Sequence, residues 1–168
     1  MRNLKVLLTS GLIIGSCLVF ALPAIAANTG STTNPNAAAL TTIKGLRQTD
    51  KELGVQLVNL RQSNQAQRKV DRSQKSYDAL LKAKTDQISF ETDNTTAQAY
   101  KLNLEKDTIQ LRIDRQAKNQ TNIAADLQNV ITDLNNQISI RTKLITNAQT
   151  ILSDLGGSLP ATASAPTT

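Results

Sequence analysis

The sequence predicts an all-α protein, a long antiparallel helical hairpin or coiled coil with disordered termini. Three observations support this class. No glycine or proline occurs from Val55 to Leu155. Leucine and isoleucine recur in that segment at helical steps of three and four residues, and aromatic residues make up only 2% of the chain. Because β-branched and aromatic alternation is missing, a sheet is not expected.

The first 26 residues have the layout of a secretory signal peptide. Two basic residues precede an apolar run over 6–22, and an A-x-A cleavage site ends at Ala26. We expect cleavage between Ala26 and Ala27. The sequence therefore predicts a bacterial protein exported from the cytoplasm, with no membrane span after cleavage, that is periplasmic, cell-wall-associated or secreted.

The remaining chain divides by composition into a helical segment with a flexible region at each end. Residues 27–40 mix small and polar side chains and are interpreted as a flexible leader. Residues 41–155 carry the helical pattern. Residues 156–168 begin with two glycines, continue with Pro, Ala, Ser and Thr, and are predicted to form a disordered tail.

A polar run near the middle of the helical segment suggests a turn. Asn94 followed by Thr95 and Gln98 has the composition of a helix cap, so we expect a tip at 91–95. Helix 1 then covers about 41–90 and helix 2 about 95–155. The alternative is a three-helix bundle with an additional break near Lys118-Asn119-Gln120-Thr121.

The second predicted helix has a coiled-coil pattern, in which Arg141 is the single charged residue among apolar positions. In a two-helix hairpin its last apolar residues have no partner, because helix 2 is longer than helix 1. We therefore expect self-association, or the docking of a protein partner, through Ile145, Ile151, Leu152 and Leu155.

Five basic residues lie seven, four, three and seven positions apart, which places them on one face of a continuous helix. They form a candidate interaction surface for an anionic polymer: Arg61, Arg68, Arg72, Lys75 and Lys82. The simpler interpretation is a solvated helix face with intrahelical ion pairs. No aromatic residue is interleaved for base stacking, so specific nucleic-acid recognition is not expected.

The residue inventory argues against an enzyme. The chain has no histidine, and its one cysteine lies in the predicted signal peptide. The usual acid/base group, thiolate nucleophile and metal ligands are therefore missing. We predict no catalytic, cofactor-binding or metal-binding residue, and no cofactor.

Three hypotheses for function follow. The first is an exported, non-enzymatic coiled-coil protein of the cell envelope or extracellular space that acts by protein–protein or protein–polymer contact. The second is a holdase chaperone, because the signal peptide, the basic chain and the long helical arms resemble the general plan of the Skp periplasmic chaperones. The third is a binder of an anionic wall polymer through the basic face.

Overall fold

The computed structural model describes residues 35–159, which form three long helices and, within that range, no strand. They are α1 (Pro35–Gln74), α2 (Tyr77–Gln116) and α3 (Gln120–Asp154). The predicted all-α class is confirmed. The predicted signal peptide with its cleavage site at Ala26 and Ala27, most of the leader, and the tail from residue 160 lie outside the described residues.

The chain does not turn at 91–95, so the predicted hairpin tip is wrong. These residues lie inside α2, and the hydroxyls of Thr92 and Thr95 donate to the carbonyls of Ile88 and Glu91, four residues earlier. Asn94 accepts a hydrogen bond from Arg61 of α1 at 3.0 Å and caps no helix. The polar run is satisfied within a continuous helix and by its neighbour.

The three-helix alternative is the arrangement found. Its expected break at Lys118-Asn119-Gln120-Thr121 coincides with the turn between α2 and α3. The other turn, at Lys75 and Ser76, was not predicted. Residues 35–40, assigned to the flexible leader, are the first turns of α1, which begins with Pro35 at a position where a missing N–H costs no helical hydrogen bond.

All three helices end with the same backbone motif. One residue takes a left-handed conformation, with φ of 60° at Lys75, 56° at Lys118 and 70° at Gly156. The next amide then donates to the carbonyl five residues back, as in Ser76 to Asp71 at 2.8 Å. This is the Schellman arrangement, which satisfies carbonyls that the helix leaves free.

The first two helix ends also share a sequence motif. Residues 67–76 read QRKVDRSQKS and residues 110–119 read QLRIDRQAKN. In each, a glutamine amide donates to the aspartate four residues later, at 3.2 Å for Gln67 to Asp71 and 2.8 Å for Gln110 to Asp114. The two turns are therefore related in sequence as well as in geometry.

Helix α3 packs along both of the other helices, whereas α1 and α2 touch each other much less. It runs antiparallel to α2 and parallel to α1, and its inner side is almost fully buried. The most deeply buried side chains of the bundle include four of its leucines: Leu127, Leu134, Leu144 and Leu152. No helix within 35–159 combines the length and apolar character needed to cross a membrane.

The charged interruption at Arg141 is accommodated by a specific pocket on α1. Its Nε lies 2.7 Å from Oδ1 of Asp50, and both side chains are largely buried. Gly54 makes room for the guanidinium, because a Cβ built at Gly54 would lie 2.5 Å from Arg141 Nη1. The pair joins α1 to α3 midway along their contact.

We predict that Arg141→Leu destabilises the bundle more than loss of the whole ion pair does. The single variant leaves the Asp50 carboxylate partly buried without its cation, which we expect to lower the free energy of unfolding by about 2 kcal/mol. Asp50→Leu with Arg141→Leu should recover at least half of that loss, as measured by urea unfolding. A double variant less stable than the single one would contradict this account.

The course of α2 can be tested with spin labels at the exposed positions Thr85 and Lys101. On one continuous helix, 16 residues span about 24 Å. In a hairpin turning at 91–95, the two labels would sit on facing helices about 10 Å apart. Dilution into unlabelled protein restricts the distance measurement to a single chain, and a short distance there would contradict α2.

Candidate functional site: a basic surface around an acidic core

The inner faces of the three helices carry acidic side chains at seven-residue intervals. Each helix has five such positions, with an apolar or aromatic residue in the middle and mostly aspartate or asparagine on either side. They are Ile43, Asp50, Leu57, Asn64 and Asp71 in α1; Asp86, Asp93, Tyr100, Asp107 and Asp114 in α2; and Asp126, Asp133, Ile140, Asn147 and Asp154 in α3. All fifteen are buried or partly buried.

Across the antiparallel α2–α3 contact these side chains form four polar pairs, which we call the carboxyl ladder. Asn147 Nδ2 donates to Asp93 Oδ2 at 2.9 Å. The other three pairs place two aspartate carboxyl groups side by side, so that one raises the pKa of the other: Asp154 that of Asp86, Asp107 that of Asp133, and Asp114 that of Asp126. A hydrogen bond between two carboxyl groups requires a proton on one of them.

The carboxyl ladder separates the pKa values of its members. At the α2–α3 turn, burial and the hydrogen bond to Asp114 raise the pKa of Asp126 above its usual value. The amides of Gln110 and Asn122 donate to Asp114 at 2.8 and 3.1 Å and lower the pKa of that carboxyl. Asp126 is therefore the member of the pair that binds a proton more readily.

The same separation occurs at the other end of the carboxyl ladder. The hydrogen bond to Asp154 raises the pKa of Asp86. The pKa of Asp154 is lowered by that hydrogen bond and by Lys82, whose Nζ lies 2.5 Å from Asp154 Oδ1. In the remaining acid pair, burial and the nearby charge of Asp107 raise the pKa of Asp133.

Because the aspartates point inward, the surface is more basic than the net charge indicates. Of the 17 Lys and Arg residues within 35–159, 15 are exposed. Of the 13 acidic residues, the exposed ones are Glu52, Asp78, Glu91 and Glu105. An anionic partner would therefore meet a surface on which cations greatly outnumber anions.

A group of seven exposed cations lies on the half of the bundle that includes the α2–α3 turn, which we call the basic end. Ile43, Leu111 and Ile123 pack together there and bring the start of α1 beside that turn. The basic end comprises Lys44, Arg47, Lys51, Lys106, Arg112, Arg115 and Lys118, all exposed. Those of α1 border a surface groove of about 400 Å³ lined by Leu40, Ile43, Lys44, Arg47, Gln48 and Lys51.

The predicted basic stripe is not one helix face. Helix α1 ends at Gln74, so Lys75 lies in the turn and Lys82 on the next helix. Arg61 sits 5.1 Å from the Phe90 ring centroid, and Arg68 donates to the Ala83 carbonyl at 3.4 Å. Lys82 forms an ion pair with Asp154, so Arg72 and Lys75 are the two stripe residues whose side chains make no hydrogen bond or ion pair within the described residues.

The four residues predicted to mediate self-association are all buried inside the bundle. Ile145 and Leu152 pack with Leu57 and Leu60 of α1, whereas Ile151 and Leu155 pack with Ala83 of α2. Their exposures are between 1% and 8%, which leaves no surface for a second chain. That prediction is wrong because the chain also turns at Lys75. This turn divides the predicted first helix into α1 and α2, and both of these helices pack over the four residues of α3.

Within residues 35–159 no group of three or more acidic, histidine or cysteine side chains is arranged to hold a metal ion. Comparison with known proteins adds no family: no protein-family model, curated protein or solved structure matches the chain. The absence of catalytic, cofactor and metal residues stays a prediction from the sequence.

The recurrence of aspartate at seven-residue steps was a signal available in the sequence. Asp86, Asp93, Asp107 and Asp114 occupy four of five successive steps. Acidic residues are normally assigned to the solvent face of a helix, and for this reason the periodicity was overlooked. The basic end was also missed, because its cations come from segments that only the third helix brings together.

We predict that the bundle is most stable in mild acid. Carboxyls with raised pKa values (Asp50, Asp86, Asp126, Asp133) bind protons more tightly when folded, so stability rises as the pH falls from 7 toward their usual value of 3.8. The lowered pKa values of Asp114 and Asp154 reverse the trend below that value. Urea unfolding at a series of pH values between 7.5 and 2.5 measures both the rise of stability in mild acid and its fall at lower pH.

Replacing the proton holders with asparagine tests the origin of this pH dependence. Asp126→Asn with Asp133→Asn supplies permanent donors, as Asn147 already does for Asp93. We expect about 1 kcal/mol more stability at pH 7.5 and a flatter rise toward mild acid. The control Glu52→Gln, at an exposed residue, should change neither. Lower stability of the double variant at pH 7.5 would contradict the proton-sharing account.

Proposed function

We propose that this chain is an exported, non-enzymatic helical bundle that works by binding an anionic polymer outside the cytoplasm. The observation that supports it is the segregation of charge, with nine of the ten aspartates turned inward and 15 of the 17 Lys and Arg residues within 35–159 exposed. Such a surface attracts a polyanion over its whole length without a shaped pocket. The export signal and the missing catalytic groups are the sequence arguments for place and mechanism.

Two features favour the basic end as the main contact. Its seven cations have only Glu52 and Glu105 as exposed acidic neighbours in the sequence segments that form it. The α2–α3 turn also presents the N-terminus of α3, where backbone amides and the helix dipole favour negative charge. A flexible polyanion can follow these cations along this half of the bundle.

The chaperone hypothesis has weaker support. Its resemblance to the Skp proteins depended on two-helix arms, and the described chain folds as three helices packed on one another. The chaperone hypothesis would be retained only if the protein prevented an unfolded client from aggregating when the two are mixed at a near-stoichiometric ratio.

Binding of fluorescently labelled inorganic polyphosphate tests the proposal, with neutral dextran as the control polymer. We expect binding that weakens steeply as salt is raised. The triple change Lys44→Gln, Arg47→Gln, Lys51→Gln should reduce affinity at low salt about 10-fold or more. It should also reduce the slope of log affinity against log salt concentration by about 2 to 3, because each lost phosphate contact lowers that slope by slightly less than one.

The matched control removes three cations from the opposite end, by Lys69→Gln, Arg72→Gln and Lys75→Gln. A smaller loss for this variant supports the basic end as the contact. An equal loss places the contact over the whole surface and removes the basic end from the proposal. No binding at low salt, or binding that does not respond to salt, would refute the polymer hypothesis itself.

A further inference from the structure

The side of α2 that faces away from α3 carries an apolar row, which we call the outer stripe. Its six large residues are Tyr77, Leu81, Ile88, Leu102, Ile109 and Ile113, each between 52% and 69% exposed. Leu81, Ile88, Leu102 and Ile109 follow steps of seven, with Thr95 at the central step. A row of this kind on one face usually marks an interaction surface.

The middle of the outer stripe is less polar than its threonines indicate. The hydroxyls of Thr92 and Thr95 donate to carbonyls of their own helix at 3.0 and 3.1 Å. Neither hydroxyl therefore requires a partner from outside, and the small side chains let another helix approach closely. The row extends from Tyr77 to Ile113, about 54 Å at 1.5 Å per residue, with Thr92 and Thr95 between Ile88 and Leu102.

The outer stripe is complementary to itself when two copies run antiparallel. With Thr95 opposite Thr95 of a second copy, Leu81 meets Ile109, Ile88 meets Leu102, and Tyr77 meets Ile113. Each of these pairs occurs twice around the two-fold axis, as an isologous interface requires. No large residue of the outer stripe lacks a partner in this register.

The charges beside the outer stripe favour this orientation. One flank of the outer stripe is formed by the residues at 77, 84, 91, 98, 105 and 112. In an antiparallel pair this flank faces the same flank of the second copy. Lys84 then lies within one residue of Glu105 of the other copy, and Tyr77 lies beside Arg112.

We propose that a second copy of this chain covers the outer stripe, forming an antiparallel α2–α2 dimer centred on Thr95. A contact about 54 Å long and about 10 Å wide buries on the order of 1,000 Å² in total, near the lower limit for a specific interface. We expect an interface of this size to be weak and reversible. It leaves the α1 cations of the basic end (Lys44, Arg47 and Lys51) free, and it does not depend on the proposed polymer binding.

Sedimentation equilibrium of the purified chain between about 1 and 500 μM tests the dimer. Ile88→Lys with Leu102→Lys should raise the dissociation constant at least 100-fold. Val55→Lys with Val58→Lys is the matched control on α1, where both valines are more than half exposed, and should leave the constant unchanged. Circular dichroism checks that both variants stay helical.

Charge exchange tests the register. Lys84→Glu and Glu105→Lys should each weaken the dimer, because each places like charges at both symmetric contacts. The double exchange should restore most of the affinity. No rescue would overturn the register with Thr95 at its centre.

Disulfide trapping tests the orientation, in a Cys17→Ser background. Thr95→Cys should cross-link to itself, and a mixture of the Ile88→Cys and Leu102→Cys chains should cross-link to each other. Self-cross-linking of Ile88→Cys alone would indicate a parallel pair and overturn the proposal. A monomer throughout the concentration range would also overturn it. If the chain is monomeric but suppresses aggregation of an unfolded protein, and Ile88→Lys with Leu102→Lys abolishes that suppression, the outer stripe binds an unfolded client instead of a second copy.

Discussion

A carboxyl group can remain inside a helical bundle only if a cation, a donor or a proton accompanies it. This constraint governs the structure, because nine of its ten aspartates lie on inner faces. Asp50 has Arg141, Asp93 has Asn147, and Asp154 has Lys82. In the remaining acid pairs one carboxyl has a raised pKa, so the stability of the fold is coupled to pH along its length.

The same constraint explains the register of α2 against α3. Apolar contacts alone would tolerate a shift by one heptad, since leucine or isoleucine recurs at most steps of α3. A shift by one heptad would give the ladder residues new partners and place Asp107 or Asp93, depending on its direction, opposite the apolar Ile140. Tyr100 and Ile140 meet at the central step and line the same shallow groove, which marks the midpoint of the ladder. Buried polar pairs often fix register in this way.

Turning the aspartates inward also determines what the outside can do. Lysine and arginine stay on the surface with few acidic neighbours, so a chain of moderate net charge presents a strongly basic exterior. The outer face of α2 is the exception, because large apolar side chains are exposed there. The bundle thus separates two surfaces, one suited to a polyanion and one suited to an apolar helix.

The sequence by itself determined the all-α class and the apolar periodicity of α3, and it offered the break near Lys118 only as an alternative to one continuous helix. These follow from local propensity and spacing, which act within one helix. Tertiary structure decided the rest. The turn at Lys75 has no glycine or proline to signal it, and its left-handed residue is held by Schellman hydrogen bonds. Once that turn forms, Ile145 and Leu152 are covered, the basic stripe is divided, and aspartates from different helices meet. None of these contacts could be read from spacing alone, because each joins residues far apart in the chain.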